Sequence, residues 1–381
     1  MTAANPRTVG LCIFLFLASA LLTLSLKQTH HRSAQFLPSS LTHRKGTTLA
    51  ASKGNAAAAA AASLAPEDPQ TTHQKVLQTH KVAFATFLAA NANPGRKETD
   101  AESAAIDDAD DGYFIGTRVL AYQLLHSRSA GTNNSIPFLV LCTRDVSLRK
   151  RTILKSEGAT IVLVEKLDNG WVQQGNPRWQ DVMTKLRLFQ LTQYSKICFI
   201  DADMLVTAPL DGVFFDEATL TQATLPHQEA IKEDEAPLPR TYLFATHADY
   251  WGYDHEYPPP TSLSYLNCGF FVFTPSIPLF DYYVSLLSLP GRFDPTFPEQ
   301  NLLNYAHRQD GNMPWRPLWY GWNVNWPTEK DWRGGARSFH AKYWDGDPSH
   351  DPVLKAIWKE QRAEMEGFHR GRQLERARSV G

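Results

Sequence analysis

Short apolar runs alternate with helix-like segments between residues 81 and 200, and this alternation restricts the possible folds more than any other feature of the chain. The strand-length runs are 82–89, 138–143, 160–167 and 196–200, and the helical patterns between them are 113–126, 146–157 and 181–194. Continuous apolar strands separated by helices are typical of a largely parallel sheet that helices cover on both faces. We therefore predict an α/β fold.

Composition narrows the possible functions. The chain has 381 residues, 43% of them hydrophobic, which is enough for one large domain or two ordinary ones. Its formal net charge of -1 provides no basic surface field, so we predict no nucleic-acid partner. The four cysteines show neither a CxxC pair nor a zinc-type spacing, so we expect no disulfide framework.

The N-terminal segment differs from the rest. Residues 8–26 carry no charge, and the run is long enough to cross a bilayer core. A signal anchor and a cleaved signal peptide are both compatible with it. We predict the anchor, because the run is long for a signal-peptide core. Residues 27–78 show no apolar period and contain an alanine run at 56–62, which predicts a disordered stem.

Two carboxylates directly follow the fourth strand. Asp201 and Asp203 stand two positions apart after an apolar run, and on an extended backbone such residues point to the same side. Ligands of open α/β sheets bind beyond the carboxyl ends of the strands. Two carboxylates there can hold a hard divalent cation, which can bridge the phosphates of a nucleotide-sugar. The alternative is a pair of ordinary turn acids.

Two further motifs lie on either side of that pair in sequence. Lys185, on the helix before the strand, can reach a diphosphate or a carboxylate, although an exposed lysine is often only solvated. Asn267 and Gly269 precede the strand 270–273; the amide can bond hydroxyls and the glycine permits close approach, but an ordinary turn has the same residues.

Two motifs near the C-terminus complete the set. Glu299 and Gln300 open a predicted helix, 299–307, where the helix dipole favours an acid in any case. His340 and Lys342 follow a short apolar strand; the imidazole can ligate a metal and the lysine can bond a diphosphate. A histidine in an aromatic region is also a common packing residue.

These motifs, in this order, resemble glycogenin and its relatives in glycosyltransferase family 8. The resemblance covers residues 81–345 and is strongest at Thr184-Lys185-Leu186, at 191–196 and at Phe199-Ile200-Asp201-Ala202-Asp203. It implies a GT-A fold, with a Rossmann-like, mostly parallel mixed sheet flanked by helices. It also implies a UDP-sugar donor, a Mn²⁺ or Mg²⁺ ion, and retention of configuration at the transferred sugar.

The resemblance assigns roles to individual residues. The implied metal ligands are Asp201, Asp203 and His340. The implied catalytic residues are Lys185, Asn267, Glu299 and Gln300. The implied donor-binding residues are Thr86, Phe87, Leu88, Tyr113, Lys185, Ala202, Gly269 and Lys342.

Three departures from the glycogenin pattern stand out. Glu299 occupies a position where the family often has Asp, and the histidine motif is compressed to His340-Ala341-Lys342-Tyr343-Trp344. An acidic insert also separates Leu88 from Tyr113. No tyrosine matches the glycogenin acceptor, and Tyr320, in the same general region, has a different context.

Together with the apolar run, the resemblance implies a lumenal, type II Golgi membrane enzyme similar to fungal N-acetylglucosaminyltransferases. It would move a sugar from UDP-N-acetylglucosamine or UDP-glucose to a glycan acceptor. The sequon Asn133-Asn134-Ser135 fits a lumenal domain, whereas the basic residues after the run favour the opposite orientation. The alternatives are a cytosolic self-glucosylating initiator and a non-catalytic sugar-nucleotide-binding module.

The expected organisation has five parts. They are a short tail at 1–7, a transmembrane anchor at 8–26, a disordered stem at 27–78, a GT-A catalytic domain at 79–350 and a charged helix or tail at 351–381. The oligomeric state cannot be predicted from these patterns.

Overall fold

The computed structural model describes residues 81–90, 111–172, 181–260 and 264–380. Its strands are β1 (Val82–Leu88), β2 (Phe138–Cys142), β3 (Thr160–Leu163), β4 (Lys196–Ile200), β5 (Met204–Val206), β6 (Gln222–Ala223), β7 (Thr241–Tyr242), β8 (Phe244–Ala248), β9 (Leu266–Phe273), β10 (Arg316–Pro317), β11 (Val324–Asn325) and β12 (Ser338–His340).

The helices of the described ranges flank these strands. The α-helices are α1 (Gly112–Leu125), α2 (Leu148–Ser156), α3 (Ile277–Leu286), α4 (Pro298–Ala306), α5 (Glu329–Arg333) and α6 (Pro352–Val380). The 3₁₀ helices are Val182–Gln190, Asp211–Phe215, Glu217–Thr219 and Gln228–Ala230.

The main sheet has seven strands in the order β10-β8-β9-β4-β1-β2-β3. The pairs β4–β1, β1–β2, β2–β3 and β10–β8 are parallel, whereas β9 runs antiparallel to both of its neighbours. The first residues of β9 therefore lie at the same edge of the sheet as the last residues of β4. This reversal decides where the side chains of the site meet.

Side-chain alternation along β4 divides the core into two layers. Ile197 and Phe199 pack with the 3₁₀ helix Val182–Gln190 and with α3, α4 and α6. Cys198 and Ile200 pack on the opposite face, with α1 and α2. Because every residue from 197 to 200 is buried, the strand is apolar throughout, as expected for a sheet covered on both faces.

A second sheet of three strands, in the order β11-β12-β5, lies beyond the end of β4. β12 pairs antiparallel with β5, which places His340 opposite Met204. β11 pairs parallel with β12, which places Asn325 opposite His340. Residues that are far apart in sequence are thereby fixed directly beside the Asp201-Ala202-Asp203 turn.

The α/β fold with a mostly parallel mixed sheet is confirmed, and three local predictions need correction. The segment 181–194 is a 3₁₀ helix over Val182–Gln190 instead of a full helix. The third strand ends at Leu163, not at residue 167. Asn267 and Gly269 lie inside β9 and do not form a turn before it, because the strand begins at Leu266.

The predicted Golgi location as a single-pass type II membrane protein is wrong. Across the described ranges, no helix combines the length and the apolar character needed to cross a bilayer. The longest helix there, α6 with 29 residues, is charged along its length. The segments predicted as anchor, 8–26, and stem, 27–78, lie outside the described residues, as does the acidic insert at 91–110.

Candidate active site

A cavity of about 500 Å³ opens at the edge of the main sheet where β4 ends. Its walls contain every predicted site residue except one. They include Phe87, Leu88, Tyr113, Lys185, Asp201, Ala202, Asp203, Asn267, Gly269, Glu299, Gln300, His340 and Lys342. The exception is Thr86, which lies within β1, is fully buried and is not part of the cavity wall.

Gly269 allows the two carboxylates to meet the histidine. Asp201 donates its backbone N–H to Gly269 O at 2.8 Å, so β9 runs directly beside the carboxylate turn. A Cβ atom at Gly269 would lie 2.3 Å from His340 Cε1 and 3.0 Å from Asp201 Oδ2. A larger residue at this position would therefore push His340 away from Asp201.

Asp201, Asp203 and His340 form what we call the metal triad. One ligand atom from each lies within 4.8 Å of the others, and His340 Nε2 is 3.1 Å from Asp203 Oδ1. Two carboxylate oxygens and one imidazole nitrogen suit a divalent cation such as Mn²⁺ or Mg²⁺, so the donor set fits the metal that the sequence implies.

Cations on either side set the electrostatics of the triad. Lys342 Nζ lies 3.0 Å from Asp203 Oδ2. Although burial alone would raise the pKa of Asp203, Lys342 and His340 hold it well below its usual range. Burial raises the pKa of Asp201, and the charge of Lys185 offsets only part of this effect.

Lys185 links the triad to Glu299. Its Nζ atom is 3.2 Å from Asp201 Oδ1, 3.2 Å from Glu299 Oε1 and 4.5 Å from the centre of the Phe199 ring. Burial alone would lower the pKa of Lys185, but these two carboxylates raise it, so the group stays charged. Glu299 also accepts from Cys268 Sγ at 3.4 Å. Its carboxylate is therefore held in internal contacts.

Trp344 fixes the loop that carries Lys342. The indole ring packs edge-on against Tyr113, with ring centres 5.2 Å apart, and covers a glycine face of α1. At Gly116, a Cβ atom would lie 2.5 Å from Trp344 and 2.6 Å from the carbonyl oxygen of Ala202. The close packing of α1 against Ala202 and against Trp344 thus requires a glycine, which has no side chain, at position 116.

Asp249, which the sequence patterns did not indicate, organises a second group of side chains in the cavity wall. It accepts hydrogen bonds from Gln300 Nε2 at 2.9 Å, Asn267 Nδ2 at 3.3 Å and Asn325 Nδ2 at 2.5 Å. We call these four residues the amide cluster. Burial raises the pKa of Asp249, and the hydrogen bonds from the amides act in the opposite direction.

The carboxylate of Asp249 determines which way two of the amides face. A carboxylate can only accept, so each NH₂ group must point toward it. Gln300 Oε1 then accepts from the N–H of Cys268 at 3.1 Å, and Asn267 Oδ1 accepts from the N–H of Gly269 at 2.9 Å. The Gln300 NH₂ group also bonds the hydroxyl of Tyr265, whereas Asn267 Nδ2 donates to Asp249 alone.

A signal for Asp249 was present in the sequence. It directly follows β8, as Asp201 directly follows β4, so the same strand-end rule selects both residues. The strand itself was overlooked because Thr246 and His247 interrupt its apolar pattern. Asn325, Trp251, Tyr253 and Trp326, also in the cavity wall, follow no such pattern.

No family model matches the chain, but several known proteins are similar to it in sequence. An uncharacterised protein of Schizosaccharomyces pombe is 29% identical over 286 residues, which is 68% of this chain and 75% of that protein. Human glycogenin-1 is 28% identical over 198 residues, 51% of this chain and 45% of that protein. Galactinol synthase 1 of Solanum lycopersicum is 26% identical over 276 residues, 68% of this chain and 70% of that protein.

Among solved structures, the galactosyltransferase LgtC in complex with donor and acceptor sugar analogues is similar at 12% identity and a TM-score of 0.40. The match covers 74% of this chain and 95% of the LgtC chain. A likeness at that level carries no functional conclusion. The similarity to fungal N-acetylglucosaminyltransferases has no counterpart among these matches, whereas the resemblance to glycogenin does. The chain is thus a relative of galactinol synthase over 68% of its length and of glycogenin-1 over 51% of it.

Proposed function

We propose that this protein is a retaining glycosyltransferase that moves a sugar from a UDP-sugar to a saccharide acceptor. One observation carries the proposal: the metal triad and the amide cluster lie in the walls of one cavity, joined by Gly269 and Asn267. Its relatives include human glycogenin-1 and a galactinol synthase, which supports the same chemistry.

The metal triad and Lys342, which together form the charged end of the cavity, would hold the donor diphosphate. Asp201, Asp203 and His340 would bind the divalent cation, which neutralises negative charge on a diphosphate leaving group. Lys342, whose Nζ atom lies 3.0 Å from Asp203 Oδ2, supplies a second positive charge at the same place. Phe87, Leu88 and Tyr113 offer apolar surface on the adjoining wall, which suits the uracil base and the ribose.

The amide cluster would hold the transferred sugar. Asp249 holds the NH₂ groups of Gln300 and Asn267 at the cavity wall, and N–H groups can bond sugar hydroxyls. Gln300 is a weak nucleophile, and Glu299 is engaged by Lys185 and Cys268. We therefore favour attack of the acceptor hydroxyl on the same face that the diphosphate leaves, with Gln300 as a positioning residue.

The test uses the purified protein with UDP-glucose, UDP-galactose, UDP-glucuronate and UDP-N-acetylglucosamine, each with Mn²⁺. We expect UDP release from at least one donor, with loss of release when the metal is chelated and in Asp203→Asn. Binding of a donor without any UDP release would instead indicate a sugar-nucleotide-binding module. Failure to bind any of the four donors would contradict the proposal.

A second candidate, self-glycosylation of a tyrosine, is favoured by the similarity to glycogenin-1. Within the described residues, Tyr113 and Tyr253 are the tyrosines in the cavity wall, whereas Tyr320 is not part of it and packs edge-on against Tyr257. Intact-mass measurement after incubation with UDP-glucose and Mn²⁺ decides this point. A mass increase by hexose units that disappears in Tyr253→Phe would favour self-glycosylation.

A further inference from the structure

Asn325 is a residue of the cavity wall, and its side-chain oxygen has no hydrogen-bond donor among the described residues. The residue is 4% exposed, and its Nδ2 atom donates both to Asp249 Oδ1 at 2.5 Å and to Tyr250 O at 3.2 Å. Because both partners can only accept, the orientation of this amide is fixed. Its Oδ1 atom is left buried without a hydrogen-bond donor among the described residues.

That oxygen distinguishes Asn325 from the other amides of the cluster. Gln300 and Asn267 have their oxygens bonded to backbone N–H groups, whereas Asn325 has both hydrogens bonded and keeps an oxygen without a donor. A buried acceptor without a donor costs free energy. A ligand hydroxyl group that donates to Oδ1 would remove this cost.

The next residue, Trp326, is held in an unfavourable backbone conformation. Its φ angle is +56°, in the left-handed region that a bulky side chain rarely occupies. The indole ring lines the cavity and packs edge-on against Tyr253, with ring centres 5.2 Å apart. Strain of this kind persists where the surrounding structure imposes it, and it is concentrated at ligand sites.

A second tryptophan lies two residues beyond Asp249. Trp251 lines the same cavity, yet 63% of its surface is exposed. Its ring lies 6.3 Å from that of Phe297, which precedes α4 and also lines the cavity. Large exposed aromatic rings beside hydrogen-bonding groups are typical of a binding surface for a ligand with both apolar faces and hydroxyls.

From these observations we infer a saccharide subsite formed by Asn325, Trp326 and Trp251, in which a hydroxyl donates to Asn325 Oδ1 and a ring face lies on an indole. The inference rests on the proposed function for its assignment to the acceptor and not to the donor. Trp251 joins the cavity through Asp249, beside the amides, and 63% of its surface stays open to an incoming sugar. Trp326 packs on Tyr253, which faces Ser349 and Lys342. The subsite is therefore suited to the sugar that attacks.

The test measures binding and kinetics on Trp251→Ala and Trp326→Gly. Glycine tolerates a φ of +56°, so the second variant removes the ring and relieves the strain at once. Trp319→Ala is the matched control, since Trp319 is 42% exposed but is not part of the cavity wall. Asn323→Ala serves as a control for the loss of a buried amide in the segment before β11.

Maltose, lactose and chitobiose are titrated as probes against the protein with UDP and Mn²⁺. We expect wild type and both controls to bind at least one probe, and both tryptophan variants to bind it at least tenfold more weakly. In transfer assays the acceptor KM should rise by the same factor, with the donor KM changed by less than twofold. Asn325→Ala should also weaken binding of the probe. Because it removes a hydrogen-bond donor to Asp249 as well, it does not distinguish an effect on the acceptor sugar from one on the donor sugar.

Three outcomes overturn the inference. They are the absence of probe binding to wild type, probe binding that is the same in the variants and in wild type, and a donor KM that rises as much as the acceptor KM. The binding measurement needs no turnover. Saccharide binding that depends on the tryptophans in a protein that hydrolyses no UDP-sugar would therefore preserve the subsite while contradicting the proposed function.

Discussion

The metal triad and the amide cluster are built on opposite electrostatic principles, although an aspartate lies at the centre of each. Asp203 is flanked by the charges of Lys342 and His340, and its pKa is far below the usual range. Asp249 is surrounded by neutral amides, and burial raises its pKa. The full charges beside Asp203 compensate its desolvation more effectively than the amide dipoles do at Asp249, whereas at Asp201 the charge of Lys185 offsets only part of the effect of burial.

The difference suggests a division of labour. A charged cluster can exchange its internal ion pairs for bonds to a cation and a diphosphate, so it suits the binding of charge. A neutral cluster cannot bind charge in this way, but it fixes the orientation of its amides because each NH₂ group faces the Asp249 carboxylate. The first would bind the leaving group, and the second would orient the sugars.

The largest effect is expected from Asp203→Asn, which breaks the charged end. Asn supplies one neutral oxygen and leaves Lys342 without its counter-ion, so we expect UDP release to fall on the order of a thousandfold. Turnover and Mn²⁺ affinity are both measured. Asp310→Asn, at a side chain that is 88% exposed, is the control. Unchanged Mn²⁺ affinity would contradict the metal assignment.

Asp249→Asn disrupts the amide cluster, which we call the neutral end of the cavity, and should have the next largest effect. An amide at this position turns one NH₂ group toward another, so at least one hydrogen bond of the cluster is lost. We expect turnover to fall by roughly 10- to 100-fold, corresponding to about 1–3 kcal/mol, with Mn²⁺ affinity unchanged. Asp254→Asn, in the same loop and exposed, provides the comparison. A loss of Mn²⁺ affinity in Asp249→Asn would remove the distinction between the two ends.

Gly116→Ala perturbs the charged end without altering any charge. The added methyl group would collide with Trp344 and with the Ala202 carbonyl, so we expect the free energy of unfolding to fall by about 2–3 kcal/mol and donor affinity to fall with it. Gly367→Ala is the matched helix control, since nothing lies within 4 Å of its Cβ position. That variant should be neutral or slightly stabilising. Equal free energies of unfolding for Gly116→Ala and Gly367→Ala, measured with urea, would contradict the close packing at Gly116.

The pH dependence of stability tests the support of the neutral end. His307 is the C-terminal cap of α4, the helix that carries Gln300. Burial lowers the pKa of His307 to about 4. The folded state therefore binds fewer protons than the unfolded state between pH 6.5 and 4, and stability is lost as the pH falls through this window. Between pH 7 and pH 5 we expect a loss of about 2 kcal/mol from this residue.

Urea unfolding at pH 7 and pH 5 tests this expectation, with His307→Gln as the variant. His247, whose pKa burial also lowers to about 4, should keep part of the pH dependence in both proteins. We expect His307→Gln to be less stable at pH 7, since it disturbs the bonds to Tyr283 and Met313, but to lose less stability on acidification. An unchanged difference between the two pH values would exclude His307 as a source.

Much of the charged end could be predicted from sequence, because its signal is local. An apolar strand that ends in two carboxylates is recognisable within a few residues, and the motifs around Lys185 and His340 recur in a fixed order. The neutral end was predicted only in part. Asn267 and Gln300 were selected, but Asp249, which orients both of them, lies at the end of a strand with a mixed pattern.

The sequence by itself determined the α/β class and most of the element positions, since apolar periodicity is a property of contiguous segments. It also predicted Asp201, Asp203 and His340 as metal ligands, and the structure brings these three side chains together. The tertiary structure alone decided that β9 runs antiparallel and that β11 lies beside β12, which brings Asn267, Asn325 and His340 to one cavity. Strand order and direction depend on contacts between residues distant in sequence, and no short pattern records them.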